Sequence, residues 1–259
     1  MKILPKINFI SQIKAKPTPR PEQVTRPTFE TASADGCVVH SEMPVFYKDG
    51  LAKLSTKCYP SYSAYESHAI TTQITDESGR LMGDYSYSLD PIERTIDYGY
   101  IKTKHDFRHK GVAEIMRLSS LMELKENSLQ SIKIDALSEA VPFHSKYKFQ
   151  PDLKGKNSTL TILDSIVNKT KADEKDKKGA EKLIKKIVND GEEDTINLTK
   201  GEAKEVNGYI AKYIKKNQNN WEDTNFHHCL PMILTNKQVN KFSSFFNKLF
   251  QKHGIDYTI

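Results

Sequence analysis

Hydrophobic and polar residues alternate through the middle of the chain, and this alternation predicts an antiparallel meander of three strands. Residues 67–75 and 80–89 form the first two alternating runs, and a tight turn of sequence Asp-Glu-Ser-Gly separates them. A third run covers residues 95–103 after an Asp-Pro turn. A period of two residues, interrupted by turn-forming residues, is typical of strands that pair with their neighbours in sequence.

The third strand also carries a candidate for chemistry. Tyr98 and Tyr100 alternate in sequence with Asp97, so we expect the tyrosines on one face of the strand and the aspartate on the other. We interpret the tyrosine face as half-buried in the sheet, with contact to a substrate as the alternative.

A short basic turn and an amphipathic helix follow this strand. The helix is predicted by apolar residues at helical spacing, namely Val112, Ile115, Met116, Leu118 and Met122. The start of a helix leaves backbone N–H groups without partners, and the helix dipole adds positive potential there. Gly111 allows the backbone to approach a ligand closely, while Arg108 and Lys110 add positive charge. The stretch therefore predicts a site for a phosphate or pyrophosphate.

Two sequence motifs point to a family. The run Arg108-His109-Lys110-Gly111-Val112-Ala113 resembles the Gln/Arg-x-x-Gly-x-Gly/Ala signature of the GCN5-related N-acetyltransferase (GNAT) superfamily. After a further predicted strand at residues 131–136, the run AVPFHSKYKF at residues 140–149 resembles the second family signature, Ala-x-x-Phe-Tyr-x-Lys-Leu-Gly-Phe. The resemblance covers about residues 47–163.

The resemblance implies both a fold and an activity. The expected fold is mixed α/β, with a central, mainly antiparallel sheet flanked by helices, and its first helices would lie near residues 31–60. The expected activity is acetyl transfer from acetyl-coenzyme A to an amine that attacks the thioester directly, without a metal. In that family the first signature, Arg108 to Ala113 here, cradles the pyrophosphate of the cofactor. The backbone of Ile101, Lys102 and Thr103 would bind the pantetheine arm.

The resemblance also assigns two catalytic positions. Asp97 stands where family members with a carboxylate base carry it, and a strand aspartate at the surface is the alternative interpretation. His144 stands where the family usually has a tyrosine as general acid, and a histidine on a helix surface is the alternative. Leu137 and Lys148 replace the usual asparagine and glycine of the second signature. These departures leave open a non-catalytic module that binds acyl-coenzyme A, a protein or RNA.

Composition divides the chain into three parts. Residues 1–30 contain Pro17, Pro19, Pro21 and Pro27 among polar residues, and we expect a disordered leader or a docking segment. Residues 31–168 would form the acetyltransferase domain, in which residues 158–166 are predicted as the last strand. Residues 169–259 would form an α-helical C-terminal region.

Three amphipathic helices are predicted in the C-terminal region. The first contains the apolar stripe Ala180, Leu183, Ile184, Ile187 and Val188. Capping boxes start the second helix at residues 199–202 and the third at residues 235–238. Their lysine-rich outer faces are typical of solvated surfaces, and binding to RNA or another acidic partner is the alternative.

Composition adds expectations about ligands and compartment. The chain of 259 residues has a net charge of +6, which favours anionic ligands without indicating nucleic acid. Its three cysteines (Cys37, Cys58 and Cys229) are scattered and odd in number, which argues against a disulfide framework and for a reducing compartment. No apolar run approaches the length of a membrane span, so we expect a cytoplasmic protein.

The adjacent residues His227, His228 and Cys229 do not form a metal motif. Their spacing differs from that of paired zinc ligands, and no second pair lies nearby in sequence. We expect them in a loop.

Overall fold

The structure is a computed structural model, and it describes residues 24–32, 36–59, 67–168, 172–189, 196, 198–216 and 229–259. Most of the predicted leader lies outside these residues, as do His227 and His228. The side chains of Tyr98, Tyr213 and Ile214 are also outside the description.

The strands form two sheets. A small antiparallel sheet contains β1 (Phe29–Thr31) and β2 (Val38–His40). The large sheet contains β3 (Met43–Tyr47), β4 (Gly50–Tyr59), β5 (His68–Asp76), β6 (Leu81–Asp90), β7 (Thr95–Thr103), β8 (Ser131–Ala136), β9 (Gln150–Pro151) and β10 (Leu230–Thr235). Its strand order is β3-β4-β5-β6-β7-β8-β10-β9, and every neighbouring pair is antiparallel except β7 and β8.

Seven α-helices accompany this sheet in the described part of the chain. They are α1 (Val112–Glu126), α2 (Val141–Lys146), α3 (Lys156–Asn168), α4 (Glu174–Asn189), α5 (Lys200–Lys216), α6 (Asn236–Lys241) and α7 (Ser243–Lys252). Helix α1 packs against β5, β6 and β7 on what we call the inner face of the large sheet. Helix α3 packs against β10 and, with it, lines the opposite or outer face.

The predicted meander is confirmed as β5, β6 and β7, and the predicted strand at residues 131–136 is confirmed as β8. Burial alternates along β6, where Tyr85, Tyr87 and Leu89 face the core. The alternation follows from the two-residue period of a strand that has one covered face. The expected mixed, mainly antiparallel sheet is confirmed as well.

Strand β7 carries a β-bulge that the sequence did not reveal. Asp97 pairs with Ser88 and Tyr100 pairs with Ser86, so two residues of β7 lie opposite one residue of β6. Because Ser86 and Ser88 share a face of β6, Asp97 and Tyr100 share the outer face of β7. The prediction of opposite faces for aspartate and tyrosine is therefore wrong for Tyr100, since the extra residue breaks the alternation.

The bulge coincides with a divergence of the two parallel strands. Strand β7 pairs with β8 only through Thr95–Ser131 and Ile96–Ile132, and the pairing stops at the residue before Asp97. A bulge bends its strand and increases the local twist. The far halves of β7 and β8 are not paired with each other, although β7 remains paired with β6 as far as Thr103.

The predicted last strand at residues 158–166 is wrong, because this segment lies within α3. Its buried residues Thr159, Ile162, Leu163 and Ile166 recur at intervals of three and four, which is the period of a helix. The β-branched residues in this run suggested a strand, but packing against β10 selected the helix.

The C-terminal region supplies the strand that was missed. Strand β10 lies between β8 and β9, with Met232 opposite Ile134 on one side and opposite Pro151 on the other. The C-terminal region is thus not wholly helical, and its strand completes the same sheet as residues 43–136. Helices α3, α4 and α5 occupy the connection between β9 and β10.

The predicted C-terminal helices are confirmed as α4, α5 and the pair α6 and α7. Both capping boxes form: Thr199 with Glu202, and Thr235 with Gln238. The third predicted helix is interrupted at Phe242, which divides it into α6 and α7.

The region near residues 31–60 differs from the expectation. Its described residues form β2, β3 and β4, and none of them lies in the helices that the family resemblance placed here. No described helix combines the length and apolar character needed to cross a membrane.

Candidate active site

The predicted anion-binding turn lies between the end of β7 and the start of α1. His109 and Gly111 have positive φ angles of 61° and 91°, which turn the chain into the helix. The first backbone hydrogen bond of α1 runs from the N–H of Ile115 to the carbonyl of Gly111, at 3.0 Å. The N–H groups of residues 112–114 therefore precede the intrahelical ladder, as required for an anion site at a helix N-terminus.

Two constraints require glycine at position 111. The left-handed backbone conformation disfavours a side chain. In addition, a Cβ built on Gly111 would lie 3.0 Å from Cε1 of His253. The turn is thus fixed by its own dihedral angles and by the residue that follows α7.

The side chains of the turn supply positive charge to different degrees. Arg108 and His109 are exposed. The Nζ atom of Lys110 lies 2.7 Å from a carboxylate oxygen of Asp49, and this hydrogen bond raises the pKa of the lysine. Because Asp49 offsets the charge of Lys110, the exposed guanidinium of Arg108 is the main uncompensated positive charge that the described residues of the turn present.

A buried carboxylate lies behind the turn, and the sequence analysis missed it. Glu114, in the first turn of α1, accepts hydrogen bonds from Tyr147, Lys252 and His253, the last at 2.6 Å. Burial by itself raises the pKa of this carboxyl, but these hydrogen bonds outweigh burial and lower the pKa to about 2. The ammonium group of Lys252 pairs with Glu114 and offsets its negative charge, which reduces the repulsion of an anion at the turn.

The edge of β7 that faces β8 is suited to a ligand with amide groups. Ile101, Lys102 and Thr103 pair with β6 on one edge. On the other edge, pairing with β8 has already ended at Ile96. The backbone groups that alternate toward this edge therefore have no strand partner in the described structure. The predicted pantetheine-binding residues lie along this open edge.

Asp97 lies at the point where β7 leaves β8. Its side chain is half-buried and accepts a hydrogen bond from the hydroxyl of Thr95. Its other oxygen, Oδ1, is buried and has no hydrogen-bond partner among the described residues. Burial raises the pKa of Asp97, against the opposing effects of Thr95 and Lys133. A half-buried carboxylate with a raised pKa and an oxygen without a hydrogen-bond partner is a suitable base.

Asp97 lines a cavity of about 200 Å³, together with Lys133, Asp135, Asp152 and Ser158. A second cavity of about 550 Å³ shares Asp135 and Pro231 with the first and reaches α3 at Leu160, Thr161 and Asp164. The two sets of lining residues include four aspartates and one lysine. We call these two adjoining cavities together the acidic cavity, and α3 forms one of its walls.

His144, the residue predicted as the general acid, lies on the short helix α2. It is buried, and Nδ1 lies 3.4 Å from the guanidinium of Arg117. Burial and the charge of Arg117 lower the pKa of His144 well below its usual value, so the ring is neutral near pH 7. The ring also packs edge-on against Phe143 and Phe149. The alternative interpretation, a histidine on a helix surface, is wrong.

Arg117 is the second residue that the sequence analysis missed. It lies on α1, is fully buried, and donates a hydrogen bond of 3.0 Å to the hydroxyl of Tyr85. Its guanidinium carbon lies 4.7 Å from the ring centroid of Phe149. The only sequence signal was its position between Met116 and Leu118 in an otherwise apolar segment. Asp97 and His144 lie on opposite faces of the sheet, because Arg117 belongs to the inner face.

The site residues fit a coenzyme A thioester. The left-handed glycine, the leading N–H groups of α1 and the exposed Arg108 suit a pyrophosphate, and the open edge of β7 suits an extended amide chain. In the described ranges, no group of three or more histidine, cysteine, aspartate or glutamate side chains is placed to hold a metal ion.

Comparisons with known proteins return acetyltransferases among solved structures. A spermidine N-acetyltransferase from Vibrio cholerae matches at 18% identity over 33% of this chain and 53% of its own, with a TM-score of 0.30. A GNAT-family acetyltransferase from Staphylococcus aureus matches at 11% identity over 32% and 53%, with a TM-score of 0.28. A nourseothricin acetyltransferase matches at 19% identity over 51% and 74%, with a TM-score of 0.29.

These similarities are partial. The chain spans about half the length of the first two structures. No protein-family profile matches the chain, and no curated protein sequence matches it. TM-scores near 0.3 assign no activity. The topology is the observation that describes the fold: a mainly antiparallel sheet has one parallel pair, β7 and β8, and the glycine turn and α1 connect these two strands. The fold is GNAT-like.

Proposed function

We propose that the protein is an N-acetyltransferase that uses acetyl-coenzyme A and acetylates an amine by direct attack on the thioester. The observation that carries this proposal is the divergence of β7 from β8 at Asp97. We infer that the divergence opens a path between the glycine turn on one side and the acidic cavity on the other. A thioester and an amine could meet at this point.

The cofactor would be held mainly by backbone groups. The N–H groups at the start of α1, with Arg108 and His109, would bind the pyrophosphate. The open edge of β7 at residues 101–103 would bind the amides of the pantetheine arm. When bound, acetyl-coenzyme A supplies the activated acetyl group, and these contacts fix the position of its carbonyl carbon.

The acceptor would occupy the acidic cavity. An amine is cationic near neutral pH, and the aspartates that line the cavity attract it electrostatically. Asp97, directly or through water, would take one proton from the ammonium group. The neutral nitrogen then forms a bond to the acetyl carbon as the carbon–sulfur bond breaks. After the attack, the nitrogen loses a second proton, and the thiolate of coenzyme A gains one.

Proton return to the thiolate is not routed through His144. Its lowered pKa leaves the ring without the proton that a general acid near pH 7 needs. We propose instead that the proton comes from the attacking nitrogen through solvent. The neutral His144 also supports a second candidate function, an acyl-coenzyme A-binding module without turnover. The two candidates share the cofactor site and differ only in the use of Asp97.

Calorimetric titration with acetyl-coenzyme A and coenzyme A tests the cofactor site. Arg108→Glu reverses an exposed charge on the turn without touching the packed residue Gly111. Lys57→Glu makes the same charge change on the outer face of β4 and serves as the matched control. We expect binding by wild type and Lys57→Glu, and a loss of at least about tenfold in Arg108→Glu. Absence of binding to folded wild type would exclude both candidate functions.

Thiol release in the presence of an amine panel then separates the two candidates. Release of coenzyme A that depends on an amine supports the transferase. Tight binding without release across diamines, polyamines, aminoglycosides and peptides supports the binding module. We propose the cytoplasm as the location, because three cysteines that are scattered and odd in number do not form a disulfide framework.

A further inference from the structure

The fold brings two of the three cysteines together. Cys58 is the last inner-face residue of β4, after Ala52, Leu54 and Thr56, and Cys37 immediately precedes β2. Their Sγ atoms lie 3.9 Å apart. The residues are far from each other in sequence, and nothing in their spacing indicated this contact.

The segments that carry the two thiols are fixed by flanking hydrogen bonds. Next to Cys37, the N–H and carbonyl of Val38 both bond to the side-chain amide of Asn127, each at 2.7 Å. Near Cys58, the hydroxyl of Thr56 lies 2.8 Å from Nε2 of His40. Strand β2 is thereby tied to α1 through Val38 and to β4 through His40. The sulfur separation is therefore a property of the packed fold.

We propose that Cys37 and Cys58 form a reversible disulfide and constitute a redox modification site. A disulfide has a sulfur–sulfur distance of about 2.05 Å, so the two Sγ atoms must approach each other by roughly 2 Å. The cross-link would fasten the β1–β2 hairpin to the large sheet. This inference is independent of acetyl transfer.

The oxidant is hydrogen peroxide. The thiol of Cys58 gives a sulfenic acid and one water with the peroxide. The thiol of Cys37 then displaces the sulfenic oxygen as a second water, and the sulfur–sulfur bond forms. Each sulfur loses one electron in total, and the peroxide gains two. Cys58 reacts first because it is half-exposed, whereas Cys37 is only 4% exposed. A thiol reductant reverses the bond.

Cys229 provides an internal comparison. Burial, together with the charges of Asp135 and Glu139, raises the pKa of its thiol, so less of the reactive thiolate is present. It lines the acidic cavity beside Pro231 and α3, a different part of the fold from the β2–β4 contact. We expect Cys229 to remain a thiol under conditions that oxidise the pair.

Thiol titration after exposure of the folded, full-length protein to hydrogen peroxide tests this proposal. Wild type starts with three thiols and should lose two of them. Peptide mapping without reductant should show a link between residues 37 and 58, and dithiothreitol should restore all the thiols. Cys229→Ser should form the same link. Cys37→Ser and Cys58→Ser should form no intramolecular link.

A gain in thermal stability provides a second readout. The peroxide-treated wild type should unfold at a higher temperature than the same sample after reduction, because the cross-link restricts the unfolded chain. Treated Cys37→Ser should show no such difference. The proposal is overturned if folded wild type keeps three thiols, if the sulfurs gain oxygen without linking, or if the link involves Cys229 or a second molecule.

Discussion

The ring of Tyr85 crosses directly beneath Gly99. A Cβ built on Gly99 would lie 2.5 Å from the tyrosine hydroxyl, so only glycine fits above the ring. Gly99 belongs to the bulge of β7, and Tyr85 projects from the inner face of the neighbouring strand β6. The hydroxyl also accepts a hydrogen bond from Arg117. Tyr85 and Arg117 thus support the bulge from below, at the place where β7 parts from β8.

Gly99→Ala should destabilise the protein by about 1–3 kcal/mol, because the new methyl group forces a packed aromatic ring to move. Urea unfolding measures the change. Gly208→Ala on α5 is the matched control, since a Cβ there meets no atom within 4 Å. The control should be stabilising by roughly 0.5–1 kcal/mol, as expected for alanine in a helix. In a Tyr85→Leu background, most of the Gly99→Ala cost should disappear, and an unchanged cost would show that the ring is not its cause.

Asp97→Asn should lower the rate of acetyl transfer by roughly 10²- to 10⁴-fold, because asparagine cannot accept the proton of the ammonium. Burial raises the pKa of Asp97, so the wild-type rate should rise with pH above the usual range of an aspartate and then level off. The variant should lose this rise while binding acetyl-coenzyme A normally. Glu77→Gln, an exposed turn carboxylate, should leave the profile unchanged. An intact pH profile in Asp97→Asn would remove Asp97 as the base.

Glu114→Gln should destabilise the protein near pH 7 and lose this effect in acid. The folded-state pKa of Glu114 is lowered from 4.5 to about 2, so its stabilising contribution is present above pH 4.5 and is lost as the pH falls toward 2. The contribution is on the order of 3 kcal/mol at neutral pH. Urea unfolding of both proteins across this range should show the difference shrinking as the pH falls. A constant difference would mean that the charge of Glu114 is not what stabilises the contact with His253.

Glu123→Gln should have the opposite pH dependence. Glu123 lies on the same helix, but neither carboxyl oxygen has a hydrogen-bond partner in the described structure, and burial raises its pKa well above 4.5. Nearby His40 is also neutral, because burial lowers its pKa to about 4. Because its pKa is raised, the contribution of Glu123 to the free energy of unfolding is most favourable below pH 4.5. It falls as the pH rises above 4.5, by up to about 1.4 kcal/mol per pH unit.

The variant Glu123→Gln removes this titration and keeps the shape of the side chain. It should match wild type in acid and become increasingly more stable than wild type above pH 4.5. The same urea series used for Glu114→Gln measures both effects. Equal stability of wild type and Glu123→Gln at pH 8 would show that the folded protein accommodates an ionised Glu123.

Asp135→Asn should weaken the binding of amine acceptors, because Asp135 lines both cavities and contributes charge to each. We expect the KM for a diamine to rise several-fold, because the attraction between one partly screened carboxylate and the cationic amine has a free energy of about 0.5–1 kcal/mol. The affinity for acetyl-coenzyme A should stay the same. Steady-state kinetics at low and high salt provide the measurement. Loss of cofactor affinity instead would indicate a distorted sheet.

Local patterns were sufficient for the centre of the fold. The two-residue period and the turn residues predicted β5, β6, β7 and β8, and helical spacing predicted α1. Both capping boxes were also correctly predicted, because each depends on residues three positions apart. The glycine turn could be predicted for the same reason, since its geometry is set by neighbours in sequence.

The acidic cavity could not be predicted, because its residues come from separate elements. Asp97 is on β7 and Asp135 is on β8. Asp164 is on α3, in a segment whose sequence pattern predicted a strand. The place of β10 between β8 and β9 depends on long-range pairing, for which no local period gives a signal. The burial of Arg117 likewise depends on the rings of Tyr85 and Phe149, which approach from other elements.

The sequence by itself determined the meander, the turn, the helix after it and the resemblance to the GNAT superfamily, because all of these are encoded in short stretches of chain. The tertiary structure alone decided the faces and partners of the key side chains. The bulge moved Asp97 and Tyr100 to one face, and long-range packing brought Cys37 to Cys58. Packing also set the charge states, since the pKa values of Glu114 and Glu123 depend on whether burial brings hydrogen-bond donors with it.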